Sequence, residues 1–187
     1  MRWRSFSPLF LACVLGFTGN FASAVDLDSA LAKVRAVGPK GEGHSEAIAA
    51  LKELRETTTK DLLAIIAAMD GASPIACNWL RSVAEAAVER GNAAGQALPV
   101  KELEAFFHDH SHSPLGRRFA YELISSVDPS AEARLIPLCL NDESIELRRD
   151  AVAMLLKKAE AAEKSGQADE TLQMMSQAFE AARMPEQ

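Results

Sequence analysis

Residues 134–159 read RLIPLCLNDESIELRRDAVAMLLKKA. Leu135, Ile136, Leu138 and Leu140 form an apolar helical segment that Pro137 must kink or break, because proline lacks an N–H and its ring crowds the preceding turn. The polar turn Asn141-Asp142-Glu143-Ser144 follows. A second helical pattern then begins, with Leu147, Ala151, Val152 and Leu155 at the spacings that share one helix face. The unit is helix, polar turn, helix.

The same rhythm runs upstream. Thr58 to Met69 predicts a helix with Leu62, Ile65, Ile66 and Met69 inward, Thr58 as its cap, Asp61 in its first turn and Gly71 at its end. Ser73-Pro74 starts the next as N-cap and first helical residue. It carries Trp79, Leu80, Val83, Ala84, Ala87 and Val88 and stops near Gly91. Pro99 opens a helix with Val100, Leu103, Phe106 and Phe107 inward. Ser113-Pro114 repeats the cap-plus-proline start, followed by Phe119, Ala120, Leu123, Ile124 and Val127, and Asp128-Pro129 uses the device again. Three of the second helices align on Arg-x-x-Ala: Arg81 with Ala84, Arg117 with Ala120, Arg148 with Ala151. Each has an apolar residue seven positions after the arginine: Val88, Ile124 and Leu155. The arginines are 36 and 31 residues apart, a period that belongs to helix-pair arrays.

Across residues 58–159 this pattern resembles a HEAT repeat, the antiparallel helix pair that stacks into α-solenoids, and it is similar to HEAT-bearing regions of secreted bacterial proteins. The resemblance implies an aspartate in the turn, Asp142, bonded to an arginine early in the second helix, Arg148. In the second repeat Ser111 stands at the acidic position and in the first Ile75 does, so the implied polar ladder is incomplete. Pro137 also lies closer to the turn than the first-helix proline of the family. Cys77 and Cys139 fall in the first and third repeats. Stacked pairs lie about 10 Å apart, beyond the roughly 7 Å that a disulfide spans, so two buried thiols are expected.

Both ends differ from the middle. Met1-Arg2-Trp3-Arg4, the apolar run Phe6 to Phe17 and Ala22-Ser23-Ala24 have the order of a secretory signal peptide, cut after Ala24. The run is shorter than the roughly 20 residues of a membrane span, and Phe10 fits a lipidation motif at Cys13 poorly. Residues 25–57 predict two short helices. The first carries Leu31, Val34 and Val37, with Asp26 or Asp28 near its start. The second is capped by Ser45 and carries Ile48, Leu51 and Leu54. Together they form an N-terminal cap or a loosely docked arm. Residues 160–187 predict polar helices separated by Gly166, with Leu172, Met175, Ala178, Phe179 and Ala182 as the final stripe. This resembles a tetratricopeptide-type hairpin and serves equally as a C-terminal cap.

The fold class that follows is all-α, with few aromatics and almost no β-branched runs among 187 residues. Loss of Arg2 and Arg4 with the leader takes the net charge from −6 to −8. So acidic a body argues against nucleic acid and anionic membrane as partners. His108-Asp109-His110-Ser111-His112 is the one local cluster with metal-ligand chemistry, suited to zinc, copper or nickel if the loop curls so that His108, His110 and His112 converge. A solvated His-rich turn between two helices is the preferred reading, and no metal site is expected. Trp79 reads as a packed core residue or, with Asn78, as a recognition patch. Arg117, Arg118 and Tyr121 share one turn of a second helix, the lining of a solenoid's concave side, and are the candidate binding residues. Catalytic signatures are lacking: no phosphate loop, no G-x-S-x-G elbow, no HExxH, no CxxCH. The expectation is a monomeric, exported, non-enzymatic interaction module or scaffold without cofactor, recognising a protein partner. Its rivals are an accessory domain of a larger or separately encoded envelope enzyme and a small metal-binding protein that uses the His108–His112 turn.

Overall fold

The computed structural model describes residues 26–182. The leader, with Cys13 and Ala22-Ser23-Ala24, lies outside the described residues, as do residues 183–187. Among the described residues every regular element is helical, and no helix is long and apolar enough to cross a membrane.

Helix α1 (Leu27–Arg35) starts at Asp26, whose side chain accepts from the Ser29 amide, and it buries Ala30, Leu31 and Val34. Helix α2 (His44–Glu53) starts one residue after Gly43, in left-handed conformation, rather than at a Ser45 cap. Its buried face is Ala47, Ala50 and, just beyond it, Leu54, while Ile48 is exposed. Of the expected stripe, Leu54 is buried and Leu51 packs partly buried against the core, so only Ile48 departs from it. Both helices belong to the main core: α1 packs on α2 and on α4 (Pro74–Ala93), and Ala30, Leu31, Val34 and Ala50 are core members. The N-terminal segment is docked.

Helix α3 (Leu62–Ala67) is shorter than the Thr58–Met69 pattern. The Asp61 carboxylate accepts from the Thr58 amide at 2.9 Å and closes a turn there, so the helix begins after it. Gly71, at φ +66°, ends the segment, a conformation that suits glycine because no Cβ crowds it. The caps Ser73 and Ser113 hold as read, whereas Asp128 ends the helix before it and accepts from the Ser130 amide, so the next helix starts after Ser130. Ser73 Oγ accepts from Ala76 N at 3.1 Å, starting α4, and Ser113 Oγ accepts from Gly116 N at 3.2 Å, starting α6 (Pro114–Val127). Between them Pro99 precedes α5 (Val100–His108), which buries Leu103, Phe106 and Phe107.

Pro137 breaks the next apolar segment into α7 (Ala131–Leu135) and a 3-10 turn, Ile136–Cys139. The break turns Leu138 outward, while Leu135, Ile136 and Cys139 stay in the core. Helix α8 (Ile145–Lys164), capped by Ser144, runs without interruption past residue 159, where the sequence pattern had placed a boundary. Gly166, at φ +75°, makes the turn into α9 (Ala168–Ala181).

Successive helices pack on one another: α1 on α2, α3 on α4, α5 on α6 and α8 on α9. One core cluster extends from Ala30 to Ala151. A second, of Val152, Ala178 and Ala181, joins α9 to α8, with Leu155 half-buried against it. Leu147 and Ala151 are buried as their spacing implies.

Candidate functional site

The turn between α7 and α8 is organised by one carboxylate. Asp142 Oδ1 accepts from the Ser144 amide at 2.8 Å, and Ser144 Oγ in turn accepts from Leu147 N. The same carboxylate takes both terminal nitrogens of Arg117, at 3.1 and 2.5 Å. Arg117 Nε donates to the Phe107 carbonyl at 2.8 Å. The two charged side chains are 2% and 1% exposed, so each depends on the other for the hydration it has lost. Arg117 thereby ties the α5–α6 segment to the turn that starts α8.

This corrects two expectations. Asp142 pairs through its carboxylate with Arg117, whereas Arg148 reaches only its backbone carbonyl, Nη1 to O at 2.5 Å. Arg117 and Tyr121, candidates for a binding face, are both buried. The frame set by the caps explains why. Cys77, Arg117 and Arg148 each stand four residues after the capping serines Ser73, Ser113 and Ser144, and all three are buried. A side chain at that position lies back over the first helical turn, against the loop that precedes the helix. Arg81 is one turn further along α4 and largely exposed, so the Arg-x-x-Ala alignment superposes only two of its three arginines.

Arg118 lies beside the interior pair and belongs to an outer ionic row. Arg81 pairs with Glu85 at 2.9 Å and Glu122 at 2.6 Å, and its guanidinium stacks over Phe119. Arg118 pairs with Glu122 at 2.9 Å, with Asp150, and with Glu146 at 3.8 Å. The row runs across α4, α6 and α8. Arg118 keeps partial exposure, but its Nε and Nη1 donors are already engaged.

The histidine turn brings its three rings to different partners. His108 Nε2 is 4.0 Å from Glu104. His110 Nε2 is 3.5 Å from Arg117 Nη2. His112 stacks on Phe106, with centroids 3.7 Å apart, and its Nδ1 is 2.7 Å from Asp70 Oδ2. Among the described residues no three His, Cys, Asp or Glu side chains group closely enough to hold a metal ion. Asp70 is a residue the sequence reading passed over. Its other carboxylate oxygen accepts from the Ser113 amide at 2.7 Å, and its carbonyl accepts from Arg35 at 2.6 Å. The signal was present, an acid just before Gly71, but Ile75 was aligned to the acidic position in its place. Trp79 is half-buried against the core with His44 edge-on to it at 5.0 Å.

No family model, curated protein or solved structure matches the chain. Its own surface is therefore the guide to function, and two apolar features stand out there. An open groove of about 540 Å³ between α3 and α5 is floored by Leu63, Ala64 and Phe106, with Glu102, Asp109 and His112 at its edge. The other feature is α9. The stripe Leu172, Met175, Ala178, Phe179 and Ala182 was expected inward, yet α9 buries Thr171, Ala178 and Ala181. Leu172 is 70% exposed, Met175 41% and Phe179 83%. Small side chains let α9 settle closely on α8, and the large ones are turned to water.

Proposed function

We propose that the protein is an exported, non-enzymatic helical-repeat chain that acts as a protein–protein interaction module or scaffold. In this reading it is a short HEAT-like solenoid of antiparallel helix pairs, closed by a tetratricopeptide-like hairpin. The repeat architecture is supported by the recurrent serine caps, by the buried position four residues after each cap, and by the ionic row across α4, α6 and α8. Export is supported by the leader pattern of residues 1–24.

The observation that carries the interaction reading is the outward stripe of α9. Leu172, Met175 and Phe179 lie on one side of the helix and stay in water. Covering a large apolar side chain stabilises a complex by about 1.5–3 kcal/mol. Exposed aromatic residues within an apolar patch are the usual anchors of interfaces. Arg117 and Tyr121 take no part in this surface, since both are interior.

Affinity capture from envelope extract tests the proposal, with the protein and its Phe179→Asp variant as parallel baits. A partner retained by the first and lost by the second is the expected outcome. Failure of the unaltered bait to retain any protein above a blank matrix would refute it.

A further inference from the structure

We infer that the partner of α9 is an amphipathic helix whose apolar ridge is bordered by lysine or arginine. The inference rests on the interaction reading above and adds the chemistry of the occupant.

Leu172, Met175 and Phe179 stand at i, i+3 and i+7, which forms a continuous stripe about 10 Å long, or two helical turns. That is the footprint of a helix laid alongside a helix. The stripe is held outward by what lies beneath it. Thr171, Ala178 and Ala181 fit the contact with α8, and rolling α9 over would force leucine and phenylalanine into a space that alanines fill.

Charge then selects the occupant. The charged residues of α9 are Asp169, Glu170 and Glu180, all acidic. Asp169 and Glu180, eleven residues apart and so three turns on, lie along one edge of the stripe. None of the three enters an ion pair among the described residues, although the acids of the outer row, Glu122 and Asp150, all have arginine partners. An apolar ridge with free carboxylates beside it is complementary to an apolar ridge with cations beside it. A second copy docked α9 against α9 would set acid against acid, and an anionic membrane would do the same.

Two labelled peptides of about 18 residues, five helical turns, test the inference by fluorescence anisotropy. They share a leucine–alanine face and carry either lysine or glutamate beside it. The lysine peptide is expected to bind, to weaken as salt is added, and to bind at least about tenfold more tightly than the glutamate peptide. Phe179→Asp should reduce its affinity by about tenfold or more, as loss of an interface anchor does. Ile48→Asp, at an exposed apolar residue of α2, should leave it unchanged. Equal affinity for both peptides, or equal loss in the Ile48→Asp protein, would overturn the inference. So would self-association in sedimentation equilibrium that Phe179→Asp abolishes. If the lysine peptide fails to bind while the unaltered bait still captures a protein that the Phe179→Asp bait loses, the basic helix is wrong and the interaction reading stands. If neither bait captures anything, the interaction reading falls and the inference falls with it.

Discussion

Truncating Asp142 to alanine would leave the Arg117 guanidinium buried without a counter-charge, with the neutral Phe107 carbonyl and His110 Nε2, 3.5 Å away, as its remaining partners. Breaking one side of such a pair costs about 3–5 kcal/mol, because the other charge stays uncompensated. Asp142→Ala should therefore lower the urea midpoint strongly, and added salt should change the loss little, since the pair is shielded from solvent. Asp150→Ala removes one of several carboxylate partners from the partly exposed Arg118 and should cost about 1 kcal/mol or less. The chain carries both residues within one short stretch, and only burial separates their roles. Serine caps are legible in sequence because their chemistry is local. The Arg117–Asp142 pair is not, because it joins residues 25 apart through a contact that no spacing rule marks.

The cysteines are the other interior groups with a measurable signature. Among the described residues Cys77 and Cys139 are free and buried. Burial, aided by the Asp142 carboxylate, pushes the Cys139 thiol up to about 12 from 9.0. The folded state thus holds the proton more tightly than the unfolded chain. This contribution to stability is complete below pH 9.0 and is lost as pH rises from there to about 12. Near pH 9 the native protein should react with iodoacetamide at Cys139 only as fast as it unfolds, whereas the denatured chain reacts at once. Rapid native labelling of Cys139 would contradict its burial.

At the scale of helices, two contacts show what periodicity conveys and what it leaves open. Gly91, read as a helix stop, lies inside α4, and a Cβ there would stand 2.5 Å from Thr59 Cγ2. The glycine is needed for close approach, so Gly91→Ala should cost about 1–3 kcal/mol in denaturant titration, the usual penalty for overpacking. In α9 the sequence contains two stripes, one of small residues and one of large. Periodicity reveals both and does not choose between them; the space available on α8 does. Because α9 buries only Thr171, Ala178 and Ala181 and stands apart from the main core, its backbone amides should exchange with deuterium well before those of α6, whose Phe119, Ala120 and Ile124 sit in that core. Leu155, half-buried at this junction, should cost about 1–2 kcal/mol on truncation to alanine, below the full range for a buried leucine.

On the scale of the whole molecule, one apolar cluster reaches from Ala30 in α1 to Ala151 in α8. The all-helical class was legible throughout, since composition, caps and helical spacing agree. The joins between segments were not, because they depend on Arg90, Asp70 and Arg117 reaching across the chain to Thr57, Ser113 and Asp142. The claim that unites these observations is that α1 to α8 form a single cooperative body that presents α9. Leu147 is fully buried at the α8 end, and Trp79 packs on the core from α4. In protein lacking residues 1–24, Trp79 is the single tryptophan, so its fluorescence reports only from α4. Urea unfolding of Leu147→Ala, followed by Trp79 fluorescence and by circular dichroism, is the direct test. The structure requires both midpoints to fall together, by the equivalent of about 2–5 kcal/mol. A midpoint that falls by dichroism but stays fixed at Trp79 would mean that the two ends unfold as separate bodies.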